Sequence, residues 1–256
     1  MTRILVVGAL ALGLLAAGCG GDDETATDTT TTETTTAEPA EPTELRVYWL
    51  RDDKVWPALR EVEDTEAVAT AAVEALLEGP TEDEARDLDF ETAIPEGTEL
   101  HSLDVDAGVA TVHLSTDLAD GALAQVVHTL TQFSTVEEVE IQDNTVTRLD
   151  FETQAPAILV ESPLSFQEVG NPVRVTGTAN TFEANFEYEL TDTDGRIVDD
   201  NFVTATSGTG TRGTFDFTTK EYEIPFDGIG SLIVFERSAK DGSRINLVEI
   251  PVRMTR

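Results

Sequence analysis

Cysteine is nearly absent from this chain: Cys19 is the single one in 256 residues, so no disulfide within the chain can brace its fold. Lysine is almost as scarce, and 50 acidic against 16 basic side chains give a formal net charge of −34. Nucleic-acid binding needs a basic footprint, and anionic lipid surfaces attract basic segments. The composition therefore argues against both kinds of binding.

Motifs for catalysis are missing as well. The sequence has no glycine-rich phosphate loop, no nucleophile elbow and no Cys–His pair. Acidic residues are so numerous that two of them lying close together identify no catalytic pair. We therefore predict that the protein is not an enzyme and binds no cofactor.

The N-terminus has the layout of an export signal, over residues 1–18. Arg3 is followed by an uncharged apolar run, Ile4 to Ala17, which is too short to span a bilayer comfortably. The residues before Cys19 resemble the lipobox of bacterial lipoproteins, in which this cysteine becomes the lipid-modified first residue of the mature chain; Ala16 stands where the usual lipobox has leucine. The resemblance implies an extracytoplasmic protein anchored to the bacterial cell membrane through acyl chains on Cys19. An ordinary secretory signal with an incidental cysteine is the alternative.

Residues 19–43 form a segment of low complexity. From Gly20 to Thr43 it has seven acidic residues, no lysine or arginine, no aromatic residue and a threonine-rich run. Such a segment cannot bury enough apolar surface to offset the entropy of ordering. We predict a disordered tether that holds the folded part away from the membrane.

Charge divides the rest of the chain unevenly. Residues 44–153 carry 27 acidic and 6 basic side chains, whereas residues 154–256 carry 16 and 9. This asymmetry favours two domains, at 44–153 and 156–254. A halophilic or cation-rich environment would explain the acidic excess, and so would a solvated acidic face that repels wrong partners.

The pattern of the first domain predicts an α+β fold. Strands are expected at 45–50, 54–62, 100–105, 109–114, 136–141 and 146–151. Pro57 would place the second of them at a sheet edge. Two stripes at helical spacing predict one helix that begins at Thr65 and another at 121–133, with an acidic loop at 81–91 between them. The expected architecture is two helices on one face of a mixed sheet.

Several short sequences in this domain resemble successive motifs of the GerMN domain, a family named for bacterial sporulation and germination lipoproteins. They are Leu77-Glu78-Gly79-Pro80, Thr92-Ala93-Ile94-Pro95-Glu96-Gly97-Thr98, Gly108-Val109-Ala110-Thr111-Val112-His113-Leu114-Ser115 and Val127-His128-Thr129-Leu130-Thr131-Gln132-Phe133. Their order and spacing fit over residues 45–152. The family usually has Asp where His113 stands and Asn where His128 stands, so no role is transferred to these histidines. The resemblance implies a fold like the ring-building modules of secretion and sporulation assemblies, which pair with neighbours rather than catalyse.

The second domain has a different pattern. Seven or eight short apolar runs with turn signals between them, and no helical stripe, predict an all-β sandwich over 156–254. We expect strands near 157–160, 172–177, 186–190, 197–199, 213–218, 221–226, 231–238 and 245–252. Its phenylalanines are expected to fill the core: Phe182, Phe186, Phe202, Phe215, Phe217, Phe226 and Phe235.

This stretch resembles the immunoglobulin-like domain that accompanies GerMN in many bacterial lipoproteins. The matching residues are Ser162-Pro163, Val175-Thr176-Gly177-Thr178-Ala179, Phe182-Glu183-Ala184, Asp194-Gly195, Arg212-Gly213-Thr214-Phe215 and Phe235-Glu236-Arg237-Ser238-Ala239-Lys240-Asp241-Gly242-Ser243. Together with the lipobox and the first domain, the resemblance implies an envelope-associated accessory protein of the sporulation and germination type.

Glu183 is the candidate structural or interaction residue of the second domain. Strand alternation would turn its side chain opposite to that of Phe182. We predict that it pairs with Arg212 or Arg237 and thereby pins the sandwich. Contact with a ligand is the alternative, since one carboxylate alone makes no catalytic pair.

Two further patterns are weighed as metal sites. Asp192-Thr193-Asp194-Gly195 looks like the start of a calcium loop but lacks the remaining ligands, so a hairpin turn is the preferred interpretation. His101, His113 and His128 lack metal-ligand spacing, although His101 and His113 fall on facing strands of a predicted hairpin. We predict no metal site.

The predicted function is that of a lipid-anchored extracytoplasmic accessory protein, which displays protein-interaction domains to envelope proteins or the cell wall. A module that binds wall glycan or a small ligand is the rival, and its sugar-stacking residues would be Tyr48, Trp49 and Trp56. A wall hydrolase is a second rival and would need a catalytic pair that the sequence does not show.

Overall fold

The structure, a computed structural model, describes residues 42–256. The predicted signal, Cys19 and nearly all of the predicted tether lie outside the described residues. Within 42–256, no helix has the length and apolar character needed to cross a bilayer.

The N-terminal part of the described chain is α+β, as predicted. Its strands are β1 (Thr43–Arg51), β2 (Lys54–Val62), β3 (Leu100–Asp106), β4 (Val109–Leu114), β5 (Glu138–Ile141) and β6 (Asn144–Val146). Its helices are α1 (Val68–Leu77), α2 (Glu82–Asp87) and α3 (Asp120–Leu130), and a 3-10 segment, Arg148–Gln154, follows β6.

These strands form two sheets. β1 and β2 form an antiparallel pair, and Leu50 at the end of β1 makes a single further bridge with Glu91. β3, β4, β5 and β6 form a mixed sheet in which β4 and β5 run parallel. Helices α1 and α3 pack on each other and contact strands of both sheets, so one apolar core unites them. The α+β class is confirmed, and the single sheet expected from the sequence is replaced by two.

At Arg46 and Tyr48, the free edge of β1 is closed by side chains of α3 and of the turn that follows it. Gln132 Oε1 accepts a hydrogen bond from the Arg46 amide at 2.8 Å, and Gln132 Nε2 donates to the Arg46 carbonyl at 2.6 Å. Two residues further along β1, Thr129 Oγ1 accepts a hydrogen bond from the Tyr48 amide, and Gln125 Nε2 donates one to the Tyr48 carbonyl. Because an open strand edge invites foreign strands, this arrangement protects β1.

Three local expectations in this part are corrected. Helix α1 begins at Val68, because Thr65 Oγ1 accepts from the Ala67 amide in a turn before it. The predicted loop at 81–91 contains α2, whose first turn is stabilised by a capping box between Thr81 and Glu84. Residues 148–151, expected in a strand, start the 3-10 segment instead, because the Asp150 carboxylate accepts from the Thr147 amide at 2.8 Å.

The C-terminal part of the chain is an all-β sandwich, as predicted. Its strands are β7 (Ile158–Ser162), β8 (Glu168–Val169), β9 (Arg174–Ala179), β10 (Asn185–Thr191), β11 (Ile197–Thr204), β12 (Gly213–Thr218), β13 (Gly228–Arg237) and β14 (Arg244–Met254). One sheet has the order β11-β10-β13-β14-β8 and the other β12-β9-β7. The strand expected at 221–226 does not form, and β8 was not expected.

The phenylalanine core expected for the sandwich is partly wrong. Phe186 and Phe215 do pack in it, and their ring centres lie 4.9 Å apart. Phe182, Phe202 and Phe226 are instead 54%, 69% and 50% exposed. Phe202 pairs with Glu187 across β10 and β11 and therefore lies on the outer face of the sheet, and Phe182 lies in a turn.

Candidate functional site

The junction between the two apolar cores is built on β7. Leu159 belongs to the core of the N-terminal part, whereas its neighbours Ile158 and Val160 belong to the sandwich core. Trp56 packs against both cores. Because successive residues of a strand point to opposite faces, one face of β7 packs in the core of the N-terminal part and the other face packs in the sandwich core.

A largely buried ion pair, between Arg148 and Glu161, crosses this junction beside β7. Arg148 Nη1 lies 2.8 Å from Glu161 Oε1, and the Tyr48 hydroxyl donates a hydrogen bond to the same carboxylate oxygen. Arg148 also donates to Thr131 Oγ1 at 2.6 Å and to the His128 carbonyl at 3.2 Å. The pair therefore joins α3, the 3-10 segment and β7.

The charges of this cluster are fixed by burial and by one another. Burial alone would raise the pKa of Glu161, but Arg148 and the hydrogen bond from Tyr48 hold it below its ordinary value. Burial, and then the negative charge of Glu161, raise the pKa of Tyr48. At neutral pH Glu161 is thus an anion and Tyr48 keeps its proton.

A second ion pair, between Arg212 and Glu152, also joins the two parts. Arg212 Nε and Nη2 lie 2.8 and 3.1 Å from the two carboxylate oxygens of Glu152, and Nη2 also donates to the Pro156 carbonyl at 2.8 Å. Asn180 Nδ2 donates to Glu152 Oε1 at 2.8 Å. Arg212 thereby holds the segment between Glu152 and β7 against the sandwich.

The predicted pairing of Glu183 is wrong. Arg212 is taken by Glu152, and Arg237 makes its ion pair with Glu187 at 2.9 Å. Glu183 lies in a short 3-10 turn with φ of 53°, outside any strand, so strand alternation does not set its direction. Its carboxylate makes no hydrogen bond or ion pair with residues 42–256. Its predicted interaction role is untouched by this correction.

The three histidines do not converge. Ser102 Oγ and His113 Nδ1 are 3.2 Å apart on the exposed sheet face, and His101 lies at an irregularity in the pairing of β3 with β4. His128 is buried on α3, with Nδ1 2.9 Å from the Ala124 carbonyl. Burial, followed by the nearby Arg148 charge, lowers the pKa of His128 to about 3. No group of three metal-ligating side chains occurs within 42–256.

The residues of the calcium-like motif form a hairpin turn between β10 and β11. Asp192 Oδ1 accepts from the amides of Asp194 and Arg196 at 3.0 and 2.9 Å, which folds the turn on itself. Arg196 Nη2 lies 3.1 Å from the other oxygen of Asp192. The carboxylate is thus used locally.

The aromatic trio proposed for sugar stacking does not form a platform. Tyr48 and Trp49 are fully buried in the core. Trp56 is half-buried, and the guanidinium carbon of Arg51 lies 4.2 Å above the centre of its ring. A sugar would need open ring faces to stack on. The hypothesis of glycan binding through these three residues is therefore not supported.

The sandwich carries a groove that sequence reasoning missed, which we call the Phe182–Phe202 groove. It has a volume of about 450 Å³ and is lined by the exposed rings of Phe182 and Phe202 together with Glu183, Glu187, Glu236 and Arg237. A signal was present in the sequence, since Phe202 follows the polar run Asp199-Asp200-Asn201 and could have been assigned to an outer strand face.

The sequence of the chain matches two family models, one in each part. One, described as sporulation and spore germination, matches residues 46–144, and the other, described as an immunoglobulin-like domain of bacterial spore germination, matches residues 157–243. The chain carries a GerMN domain followed by a germination-type immunoglobulin-like domain. The junction clusters therefore join these two domains, and the Phe182–Phe202 groove belongs to the immunoglobulin-like domain.

Two solved structures resemble parts of the chain. The tandem GerMN domains of the sporulation protein GerM from Bacillus subtilis are 23% identical, with a TM-score of 0.34, over 39% of this chain and 38% of that one. A Clostridium perfringens protein described as a candidate lipoprotein is 18% identical, with a TM-score of 0.27, over 46% of this chain and 83% of that one. This chain thus spans well under half of the tandem GerM chain. No curated protein matches it in sequence.

Proposed function

We propose that this protein is a lipid-anchored, extracytoplasmic accessory protein that presents a rigid pair of interaction domains at the cell envelope. The observation that carries the proposal is the combination of a GerMN domain with a germination-type immunoglobulin-like domain in one chain. Both domain types are named for sporulation and germination, and the sequence before them resembles a lipoprotein signal ending at Cys19. Acyl chains on Cys19 would supply stable anchoring, which the acidic domains cannot.

The junction supports a role in presentation. Domains within one chain move against each other by default unless their interface is large and hydrophobic. Here the Arg148–Glu161 and Arg212–Glu152 pairs, together with the shared strand β7, hold the two domains at one angle. A partner bound to either domain would therefore be held in a set orientation relative to the other.

Anchoring is tested by expressing the full chain and its Cys19→Ser variant in a bacterial host and separating membranes from medium. We expect labelled palmitate on the full chain and none on the variant, which should be released or left unprocessed. Thr25→Ser, six residues further on, is the matched control and should behave as the unaltered chain. A Cys19→Ser protein that is still processed and membrane-bound would refute the lipid anchor.

Interaction is tested with a photo-crosslinking amino acid placed at Ala239, beside the Phe182–Phe202 groove, in intact cells of the natural host. The control position is Asp194, in the hairpin turn at the opposite end of β10. We expect one discrete cross-linked envelope protein from the groove position and none from the turn. Recovery of peptidoglycan fragments alone would favour the glycan-binding alternative, and identical products from both positions would refute a specific surface.

A further inference from the structure

The Phe182–Phe202 groove exposes two aromatic rings that nothing in the described chain covers. Phe202 lies on β11, the outermost strand of the five-stranded sheet, and Phe182 lies in the turn before β10. Paired aromatic side chains left open beside a concave surface are typical of the central contacts of protein interfaces.

The turn that carries Phe182 is held in place from several sides. The Phe182 amide donates to Glu236 Oε1 and the Glu183 amide to Thr209 Oγ1, both at 2.9 Å. Glu183 and Ala184 both have positive φ, of 53° and 60°, which side chains other than glycine adopt at a cost of about 1 kcal/mol or more each. Gly208 packs so closely on this turn that a Cβ there would lie 2.5 Å from the Ala184 backbone. The groove is therefore preformed, which reduces the ordering cost of binding.

The groove is also acidic, and one of its carboxylates is unpaired among the described residues. Arg237 is neutralised by Glu187 at 2.9 Å, and Glu236 accepts from the Phe182 amide and from Asn246. Glu183, which is exposed at the rim, makes no such contact within 42–256. A cationic side chain in this position would meet Glu183 and an aromatic face together.

Neither the segment N-terminal to the domains nor a second copy of the chain is well suited to bind in the groove. The segment from Gly20 to Thr43 contains seven acidic residues and no basic, aromatic or large aliphatic residue. It therefore offers the groove neither a positive charge nor a large apolar side chain. A second copy of the chain carries the same net charge of −34, and like charges oppose its approach.

We propose that the Phe182–Phe202 groove binds a segment of another protein in which a lysine or arginine adjoins a large apolar side chain. The apolar side chain inserts between Phe182 and Phe202, and the cation pairs with Glu183. This inference rests on the proposed function as an interaction protein and adds the chemistry of the partner.

The test uses a displayed library of random twelve-residue peptides, selected against the full-length chain purified in detergent. We expect the recovered sequences to be enriched in lysine or arginine next to leucine, phenylalanine or tryptophan. A synthetic peptide of the most enriched sequence should bind Glu183→Lys at least about fivefold and Phe202→Ser at least about tenfold more weakly than the unaltered chain.

The controls separate groove binding from general attraction to an acidic protein. Glu223→Lys makes the same charge change, and Phe226→Ser removes a ring that is also exposed, by 50% against 69% for Phe202; both residues lie in the sandwich and outside the groove. Neither should weaken binding, and circular dichroism should show all four variants folded. Selection without this enrichment, or equal binding by all variants, would overturn the proposal.

Two further results would also overturn it. Binding of a synthetic peptide of residues 20–43 would identify the groove as a site for the chain's own tail. Dimerisation in sedimentation that Phe202→Ser abolishes would identify a second copy as the occupant. Membrane release by Cys19→Ser is independent of all these results, so failure here would leave the anchoring proposal standing.

Discussion

Arg212 and Glu152 form a two-contact ion pair across the domain junction, with nitrogen–oxygen distances of 2.8 and 3.1 Å. The arginine side chain is only 10% exposed, and its third hydrogen bond fixes the Pro156 carbonyl. One side chain thus secures both the end of the GerMN domain and the start of β7. Its removal should affect the link between domains more than either fold.

Arg212→Ala is expected to lower the free energy of unfolding by about 1 to 2 kcal/mol, because a charged hydrogen-bonded pair is lost whose carboxylate is 32% exposed and therefore partly screened by solvent. It should also speed cleavage near residues 154–157 in limited proteolysis. Arg174→Ala is the control, since its pair with Asp216 is solvent-exposed on both sides and should contribute little to stability. Equal effects of the two variants on proteolysis would contradict this view of the junction.

Arg148→Met should be more costly, by about 2 to 4 kcal/mol, because it leaves the largely buried Glu161 carboxylate without its cation. The double variant Arg148→Met/Glu161→Met removes both charges and should recover a large part of that loss. Urea unfolding of both single variants and the double variant measures the coupling. Strict additivity of the two single effects would show that the residues do not act as a pair.

His128 should make stability depend on pH. Its folded-state pKa is about 3, below the ordinary value of 6.5, so between these values the unfolded chain binds a proton that the folded chain does not. Stability therefore falls as the pH drops from 7 toward 3. Relative to His128→Asn, the unaltered chain should lose about 2 to 3 kcal/mol between pH 7 and pH 4.5.

The comparison with His128→Asn cancels the titration of carboxylates shared by both proteins, including Glu161, which lies close to the histidine. His113→Asn, on the exposed sheet face, controls for the replacement of a histidine that is not buried. Parallel pH curves for His128→Asn and the unaltered chain would mean that the pKa of His128 is the same in the folded and the unfolded chain, which would refute this prediction.

Gly208→Ala is expected to disturb the Phe182–Phe202 groove although Gly208 is not one of the residues that line it. The added Cβ would lie 2.5 Å from the Ala184 nitrogen and Cα and 2.6 Å from the Thr181 carbonyl oxygen, so the turn must shift. We expect a loss of about 1 to 3 kcal/mol in unfolding free energy. Gly170→Ala is the control, because its Cβ would meet its nearest atom at an ordinary 3.6 Å. Equal thermal midpoints for the two variants would refute this close packing.

The sequence predicted the elements whose pattern is local. β2 and β4 match their expected bounds, and both domain types follow from motifs and periodicity. α2 was missed although Thr81 and Glu84 have capping-box spacing, because the acidic composition of 81–91 was taken as a loop signal.

The candidate site was harder to predict, because it depends on contacts between distant residues. Nothing local to Arg212 shows that its carboxylate partner is Glu152, 60 residues away, and not Glu183. Likewise, the exposure of Phe202 follows from its pairing with Glu187 in the sheet, whereas its hydrophobicity alone favoured the core.

The hydrogen bonds from α3 to β1 also constrain the order in which the chain can fold. The Arg46 backbone finds its partner in Gln132, 86 residues later, and the Tyr48 carbonyl finds its partner in Gln125, 77 residues later. The first described strand therefore cannot complete its bonding until α3 and the turn after it have been synthesised. Contacts of such long sequence separation slow folding. In a partly synthesised chain the free edge of β1 is therefore open to other strands, and it is protected only once α3 has folded against it.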